Sequence, residues 1–159
     1  MSGYRKTGGC QCGAVRFVVD APLGRAGICH CRMCQKAFGN FFAPLVSAPK
    51  AHLTWTKEEP SWFQSSNLVR RGFCAKCGTP LTYDAGGDSM ELAVGAFDDP
   101  EAIKPSIQVG LQNKMSWFGE LDVLPRRTAE QEAERRATFF DHVVSHQHPD
   151  HEEGASGSS

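Results

Sequence analysis

Seven cysteines in three short clusters constrain this chain more than any other feature of its 159 residues. The clusters are Cys10-Gln11-Cys12, Cys29-His30-Cys31-Arg32-Met33-Cys34 and Cys74-Ala75-Lys76-Cys77. An odd number of cysteines cannot all pair in internal disulfides. A disulfide framework also spreads its cysteines to join distant loops, whereas a metal site needs several sulfurs from a tight turn. The clustering therefore favours metal binding.

The outer two clusters can together complete a tetrahedral zinc site. Four thiolates that need no long loops come from Cys10 with Cys12 and from Cys74 with Cys77. Gly13 and Gly78 each follow the second cysteine of a pair, where a positive φ lets the turn close toward the sulfurs. Four thiolates leave no open position, so we predict a structural zinc that joins the start of the chain to its middle. The alternatives are free buried cysteines or a redox-active Cys-x-x-Cys.

The middle cluster has a different capacity. Three sulfurs within a short segment, those of Cys29, Cys31 and Cys34, can chelate one metal and leave its fourth position open. Three thiolates make zinc a mild Lewis acid, better suited to holding an added thiolate than to generating hydroxide. We therefore predict a catalytic zinc whose guest is a thiol.

Two other interpretations of the middle cluster stay open. His30 could complete a closed site, but adjacent side chains of an extended segment point apart, so we expect His30 to support the ligands instead. Alternatively the site holds no metal, and its three thiols stay reduced or form a disulfide.

The distribution of apolar residues predicts a mainly β fold of antiparallel sheets. Alternation over Val15 to Val19 predicts the first strand. Further strands are predicted where short runs rich in β-branched or aromatic residues are bounded by turn residues: 40–47, 53–56, 68–73, 80–83 and 90–95. The segment RMCQKAF lacks helix breakers and predicts one helical turn, which places Cys31 and Cys34 on the same face.

The C-terminal region shows a helical period. Thr128 with Gln131 matches a capping box, which predicts a helix over 129–145 within a C-terminal helical segment, 128–147. Its apolar face would be formed by Ala133, Ala137, Phe139, Phe140, Val143 and Val144. We expect this helix to pack on its own domain, with a dimer contact as the alternative. The polar tail, 148–159, is expected to be disordered.

Composition and charge exclude several classes of protein. No stretch approaches the ~20 consecutive apolar residues that a membrane-spanning helix needs. The N-terminal sequence MSGYRKTGG has no apolar run behind its basic residues, so we expect no signal peptide and a cytoplasmic location. A formal net charge of −1 offers no general attraction to nucleic acid or anionic lipid.

Three segments in this order and spacing resemble the glutathione-dependent formaldehyde-activating enzyme family, which also includes a centromere-associated protein: GGCQCGAVRF, CHCRMCQKAFG and RRGFCAKCGTPLTY. The later segments VGAFDDPE, QVGLQNKMSWF and LPR are similar to it as well, so the resemblance runs from Gly8 to Arg127. It implies a zinc-bearing β-tent catalytic domain over 1–127. All seven cysteine positions are filled, with the structural zinc on Cys10, Cys12, Cys74 and Cys77 and the catalytic zinc on Cys29, Cys31 and Cys34.

The resemblance also implies an activity. In the family reaction, glutathione and formaldehyde combine to S-(hydroxymethyl)glutathione, which in reverse is a carbon–sulfur lyase reaction. Glutathione carries two carboxylates, so the pocket should contain cations, and the candidates are Arg32, Lys36, Arg70, Arg71 and Lys114. The expected partners are glutathione or a similar thiol and a small carbonyl. The alternative function is a binding module stabilised by the structural zinc alone.

Overall fold

The computed structural model describes residues 3–151 of the chain. Within that range it contains ten strands: β1 Arg5–Gly9, β2 Arg16–Asp20, β3 Ala26–Cys29, β4 Ala43–Pro49, β5 Leu53–Trp55, β6 Ser61–Gln64, β7 Arg70–Phe73, β8 Pro80–Asp84, β9 Ser89–Ala93 and β10 Ile107–Val109. The same range contains two α-helices, α1 Arg32–Phe38 and α2 Ala129–Thr138. The predicted mainly β fold is confirmed.

The strands form a three-stranded sheet in the order β1-β2-β5 and a seven-stranded sheet in the order β10-β3-β4-β9-β8-β7-β6. Neighbouring strands are antiparallel except β10 and β3, which run parallel. The sequence did not predict β1, β3, β6 or β10. The strand β3 has only four residues, AGIC. The sequence of β1 is RKTGG, which has no apolar residue, and all three residues of β10 are exposed. Such strands lack the alternation by which a strand is recognised.

A shared core joins the two sheets. Phe17 of β2 is fully buried, and its ring packs edge-on against Trp55, with centroids 5.9 Å apart, and against Phe97, at 5.1 Å. These T-shaped contacts are a preferred aromatic geometry. On β9 the alternation of the strand places Met90 and Leu92 in this core.

A buried ion pair also connects the three-stranded sheet to the segment after β9. Arg16 Nη1 donates to Asp98 Oδ1 at 2.9 Å, and the Thr7 hydroxyl donates to the other carboxylate oxygen at 2.5 Å. Burial alone would raise the pKa of Asp98, but the hydrogen bonds from Arg16 and Thr7 outweigh it and lower the pKa. Asp98 is therefore held as a carboxylate.

The helix α1 begins and ends with local capping interactions. The Cys31 side chain is its N-cap and accepts a hydrogen bond from Cys34 N at 3.4 Å. Gly39 ends the helix with φ 56°, in the left-handed region that glycine adopts without strain. The segment is a seven-residue helix, longer than the single predicted turn.

The helix α2 begins as predicted and ends early. The capping box of Thr128 and Gln131 is present, with both side chains bonded to the backbone. The α-helix ends at Thr138, however, and not at position 145, because Phe139 leaves the helical conformation with φ −138° and ψ −63°. A short 3₁₀ segment follows, Phe140–His142. All residues of α2 are exposed, so the predicted burial of its apolar face is not observed.

Of the described residues, 3–114 and 147–151 form one compact unit, and 115–146 form a second. His148 N donates to Gln11 O at 2.8 Å, so the described start of the predicted tail contacts the first unit. The rest of the predicted tail, 152–159, lies outside the described residues. Within 3–151, no helix has the length and apolar composition needed to cross a membrane.

Candidate metal and substrate site

Four cysteines meet where the β1–β2 turn approaches the β7–β8 turn. We call this group the first cluster; its members, Cys10, Cys12, Cys74 and Cys77, have sulfur atoms all within 4.8 Å of one another. The Cys12 sulfur is 3.6 Å from that of Cys10 and 3.8 Å from that of Cys74. A tetrahedral zinc with Zn–S of ~2.3 Å separates its sulfurs by about 3.8 Å. The spacing therefore fits one zinc ion.

Backbone hydrogen bonds and two glycines close both turns of the first cluster. Gly13 has φ 78° and Gly78 has φ 79°, the positive values expected from the sequence. Gly78 N donates to Cys74 O at 2.8 Å. In the other turn, Val15 N donates to the Cys10 sulfur at 3.2 Å. Hydrogen bonds of this kind stabilise a thiolate and orient it for a metal.

The thiols of the first cluster differ in acidity. Burial raises the pKa of Cys10 to about 12. Burial also acts against ionisation of Cys77, but hydrogen bonds from the hydroxyl and the N–H of Thr79 outweigh it and lower the pKa to about 6. A dication favours the thiolate form of each ligand. Zinc would therefore stabilise the Cys10 thiolate further than the hydrogen bond from Val15 N does.

The second cluster consists of Cys29, Cys31 and Cys34, whose sulfur atoms also lie within 4.8 Å of one another. Cys29 ends β3, while Cys31 and Cys34 belong to the first turn of α1, as the predicted helical spacing requires. Burial opposes ionisation of Cys31, but hydrogen bonds from Cys34 N and from Cys29 outweigh it and lower the pKa. The three sulfurs could hold a zinc ion with one position left for another ligand.

A buried arginine compensates charge at the second cluster. Arg71 on β7 is only 7% exposed, and its Nη2 lies 3.5 Å from the Cys34 sulfur. Its guanidinium lies 4.9 Å from the centre of the Tyr83 ring, and its Nε donates to Ser65 Oγ at 3.2 Å. Burial raises the pKa of Cys34 to about 12 although Arg71 acts to lower it.

His30 does not belong to the second cluster. Its ring is completely buried, and Nε2 lies 3.0 Å from Oε1 of Gln108 on β10. Its backbone is held as well, because His30 N donates to Val109 O and Gln35 Nε2 donates to His30 O. Within residues 3–151, no fourth histidine, cysteine or acidic side chain joins the three cysteines. A metal held by the three cysteines could therefore keep one position open.

A cavity of about 560 Å³ opens beside the second cluster. It is lined by Gly24, Arg25, Gly27, Ile28, Cys29, Cys31, Cys34, Leu45, Ser47, Tyr83, Glu91, Ile107 and Val109. Its size lies within the range of small-molecule sites. All three cysteines of the second cluster face this cavity, whereas the first cluster does not contribute to its lining.

None of the predicted glutathione-binding cations lines this cavity, although Arg71 contacts Cys34 of the second cluster. Arg32, Lys36 and Arg71 line a separate groove of about 490 Å³ that also includes Phe63. Arg70 pairs with Asp84, with Nη2 3.0 Å from Oδ2, and it covers the Trp62 ring. Lys114 is exposed and follows the 3₁₀ segment Leu111–Asn113. The structure therefore divides this set between different surfaces.

Sequence reasoning missed two charged residues of the cavity, Arg25 and Glu91. Nothing in the sequence around Arg25 marks it as part of a site. Glu91 did carry a signal, because it stands between Met90 and Leu92 in a predicted strand, and alternation turns it away from the core. A single acidic residue on the other face of a buried strand is a candidate for a functional site.

Comparisons with known proteins identify a family for this chain and support its fold. A family model described as glutathione-dependent formaldehyde-activating enzyme matches residues 5–113. A crystal structure of a Rhodobacter sphaeroides protein matches with a TM-score of 0.53 and 21% identity, covering 65% of this chain and 99% of that one, which supports the fold. The family match spans both cysteine clusters and all the residues that line the cavity. The chain therefore belongs to the glutathione-dependent formaldehyde-activating enzyme family.

Proposed function

We propose that the protein adds a thiol, glutathione or a similar one, to formaldehyde or another small carbonyl. It would then be a carbon–sulfur lyase of the S-(hydroxymethyl)glutathione synthase type. Family membership supports a formaldehyde-activating role related to glutathione. The observation that carries the proposal is that the three sulfurs of the second cluster line a cavity large enough for a small thiol.

The number of sulfurs in each cluster supports a division of roles. The first cluster supplies four, which would fill the coordination of a zinc ion and suit a structural role. The second cluster supplies three, so it suits a catalytic role. There, zinc would contribute a positive charge that favours the ionised form of an added thiol while its sulfur stays nucleophilic.

The residues around the second cluster contribute position and charge. The N-cap geometry of Cys31 fixes its sulfur against the start of α1. The guanidinium of Arg71 offsets negative charge that accumulates at Cys34. Ile28, Leu45 and Val109 give the cavity apolar walls. Rate would come mainly from holding thiol and carbonyl together in the correct orientation.

The carboxylates of glutathione need cationic partners. We propose Arg25, in the cavity wall, as one of them. Arg71 contacts both the second cluster and the neighbouring groove, and with Arg32, Lys36, Arg70 and Lys114 it stays a candidate for the other. Seven thiols without disulfides suit a reducing compartment, so we propose a cytoplasmic location.

Native mass spectrometry of freshly purified, reduced protein, with and without excess glutathione, tests the proposal. We expect two zinc ions per chain, one of which binds glutathione or is displaced by it. The Cys31→Ser variant should lose that response while keeping one zinc ion. A single zinc ion that glutathione does not affect would contradict the proposal and favour the alternative, a binding module held by the first cluster alone.

A further inference from the structure

The cavity beside the second cluster contains a carboxyl group that the proposed chemistry has not yet used. Among the described residues that line the cavity, Glu91 alone is acidic. A carboxyl group in a pocket that also contains the three cysteines is a candidate for acid–base chemistry.

The strand register fixes the position of Glu91. Because Met90 and Leu92 point into the core, Glu91 points to the opposite face of β9, toward the cavity. It is directly opposite Ser47 on β4 and Tyr83 on β8. The two neighbouring side chains line the cavity as well, so three adjacent strands present a continuous polar row to it.

Tyr83 links this row to the cysteines. Its side chain packs against the small apolar cluster that includes Cys34. Directly opposed residues of neighbouring antiparallel strands have Cβ atoms about 4.5–5.5 Å apart. Glu91 therefore lies one strand away from a residue that contacts the second cluster. A small molecule whose sulfur is held at the cysteines could therefore extend through the cavity toward Glu91.

The surroundings of Glu91 favour proton exchange over a fixed charge. The side chain is half-buried, the Ser47 hydroxyl donates a hydrogen bond to it, and it forms no ion pair with any residue in the range 3–151. Burial raises its pKa, although the hydrogen bond from Ser47 acts in the opposite direction. Raising the pKa of a carboxyl group toward the working pH improves its use as a general acid and base.

We propose that Glu91 is a catalytic residue that carries the proton during thiol addition, an inference that rests on the proposed function. Its carboxylate takes the proton from the S–H of the entering thiol. The sulfur then forms the C–S bond with the carbonyl carbon, and the π electron pair of the C=O bond moves to oxygen. The oxygen takes the proton back from Glu91. The S–H proton thus becomes the O–H proton of the adduct, and Glu91 returns to its carboxylate form.

The test compares Glu91→Gln and Glu91→Asp with the wild-type protein. The matched control is Glu101→Gln, the same chemical change at an exposed position in the 3₁₀ segment Pro100–Ala102. Saturation-transfer NMR on equilibrated mixtures of glutathione and formaldehyde measures the exchange rate above the uncatalysed background. Native mass spectrometry gives the zinc content of each variant.

We expect Glu91→Gln to lower kcat about 100-fold, a typical contribution of a general acid–base group, while KM for glutathione and the zinc content stay unchanged. Glu91→Asp should retain part of the rate, and Glu101→Gln all of it. An unchanged kcat in Glu91→Gln would overturn the inference, and so would a raised KM with unchanged kcat, which would assign Glu91 to substrate binding. If the wild-type protein gives no rate above background, the proposed function itself fails.

Discussion

At the scale of single residues, Arg71 shows how the second cluster tolerates its charge. A buried guanidinium needs a partner, and a cysteine thiolate needs a counter-charge. Their contact at 3.5 Å meets both needs at Cys34, the most buried thiol of the cluster. Three thiolates holding one zinc ion would carry a net charge of −1, which Arg71 would offset. The arginine lies on β7, next to the edge strand β6 of the larger sheet, and thereby connects the cluster to that side of the sheet.

Serine substitutions in the two clusters should affect different properties. A substitution in the second cluster should reduce activity, and one in the first cluster should reduce stability. Cys31→Ser should abolish thiol addition with little change in the unfolding midpoint, because the second cluster is proposed to serve catalysis. Cys74→Ser should remove the structural zinc and cost about 4 kcal/mol or more of unfolding free energy. For a chain of this size that loss corresponds to a fall of about 10 °C in Tm. Thermal unfolding followed by circular dichroism measures both variants.

The two substitutions are matched controls for each other, since each replaces one thiol by a hydroxyl. A Cys74→Ser protein with the wild-type Tm would show that the first cluster has no structural metal. An active Cys31→Ser protein would exclude the proposed role of the second cluster.

At the scale of secondary-structure elements, β10 and α1 meet at the second cluster. Val109 O accepts a hydrogen bond from His30 N at the end of the parallel β10–β3 pair. The next residue, Gly110, has φ 68°, and a Cβ atom placed on it would lie 2.7 Å from Cys31 N and 3.1 Å from Cys31 Cβ. The absence of a side chain at Gly110 is therefore what lets β10 approach the N-cap of α1.

Gly110→Ala should weaken metal binding at the second cluster because the added methyl group pushes against the backbone of Cys31. The control is Gly87→Ala, where φ is 76° and no atom lies within 4 Å of the added Cβ. Both variants should lose about 1 kcal/mol of unfolding free energy from left-handed strain. Zinc titration should show at least a tenfold weaker second site in Gly110→Ala alone. Equal zinc affinity in the two variants would show that the close approach has no role in the site.

At the scale of the whole molecule, the Arg16–Asp98 ion pair connects the three-stranded sheet to the segment that follows β9 of the seven-stranded sheet. The side chains of the pair are 3% and 11% exposed, so solvent screens their interaction little. Gly8 and Phe97 form an isolated β-bridge beside the pair. Protonation of Asp98 in acid should therefore loosen the attachment between the two sheets.

Asp98→Asn should lower the free energy of unfolding at pH 7 by about 3 kcal/mol, because it leaves the buried Arg16 without its carboxylate partner. The pKa of Asp98 is lowered in the folded protein, so its contribution is complete above the unfolded value of about 3.9. The contribution is lost as the pH falls through the lower, folded pKa. The difference between variant and wild type should therefore shrink below about pH 4.

Urea unfolding at a series of pH values measures this effect. Glu58→Gln is the matched control, since Glu58 forms an exposed pair with Lys76 and its loss should change stability little. A constant difference between Asp98→Asn and wild type from pH 7 to pH 3 would show that the ion pair is not the source of the stabilisation.

Some of this architecture is visible in local patterns. The cysteine spacing predicted both clusters, and the glycine after each pair predicted the positive φ at Gly13 and Gly78. The capping box predicted where α2 begins. These features depend on residues close in the chain, so their geometry follows from the neighbouring sequence. The end of α2 was predicted wrongly because Phe139 leaves the helix although the apolar spacing continues.

The sequence by itself determined which residues could bind metal, the mainly β class and the family. Only the tertiary structure decided what surrounds the second cluster. Arg71 reaches Cys34 across 37 positions of chain, and Glu91 enters the cavity through the register of β9 with β4 and β8. Strand order and register depend on the packing of the whole core, and local composition does not encode them. The metal ligands are therefore predictable from spacing, while the charged groups around the cavity become visible only once the sheet has formed.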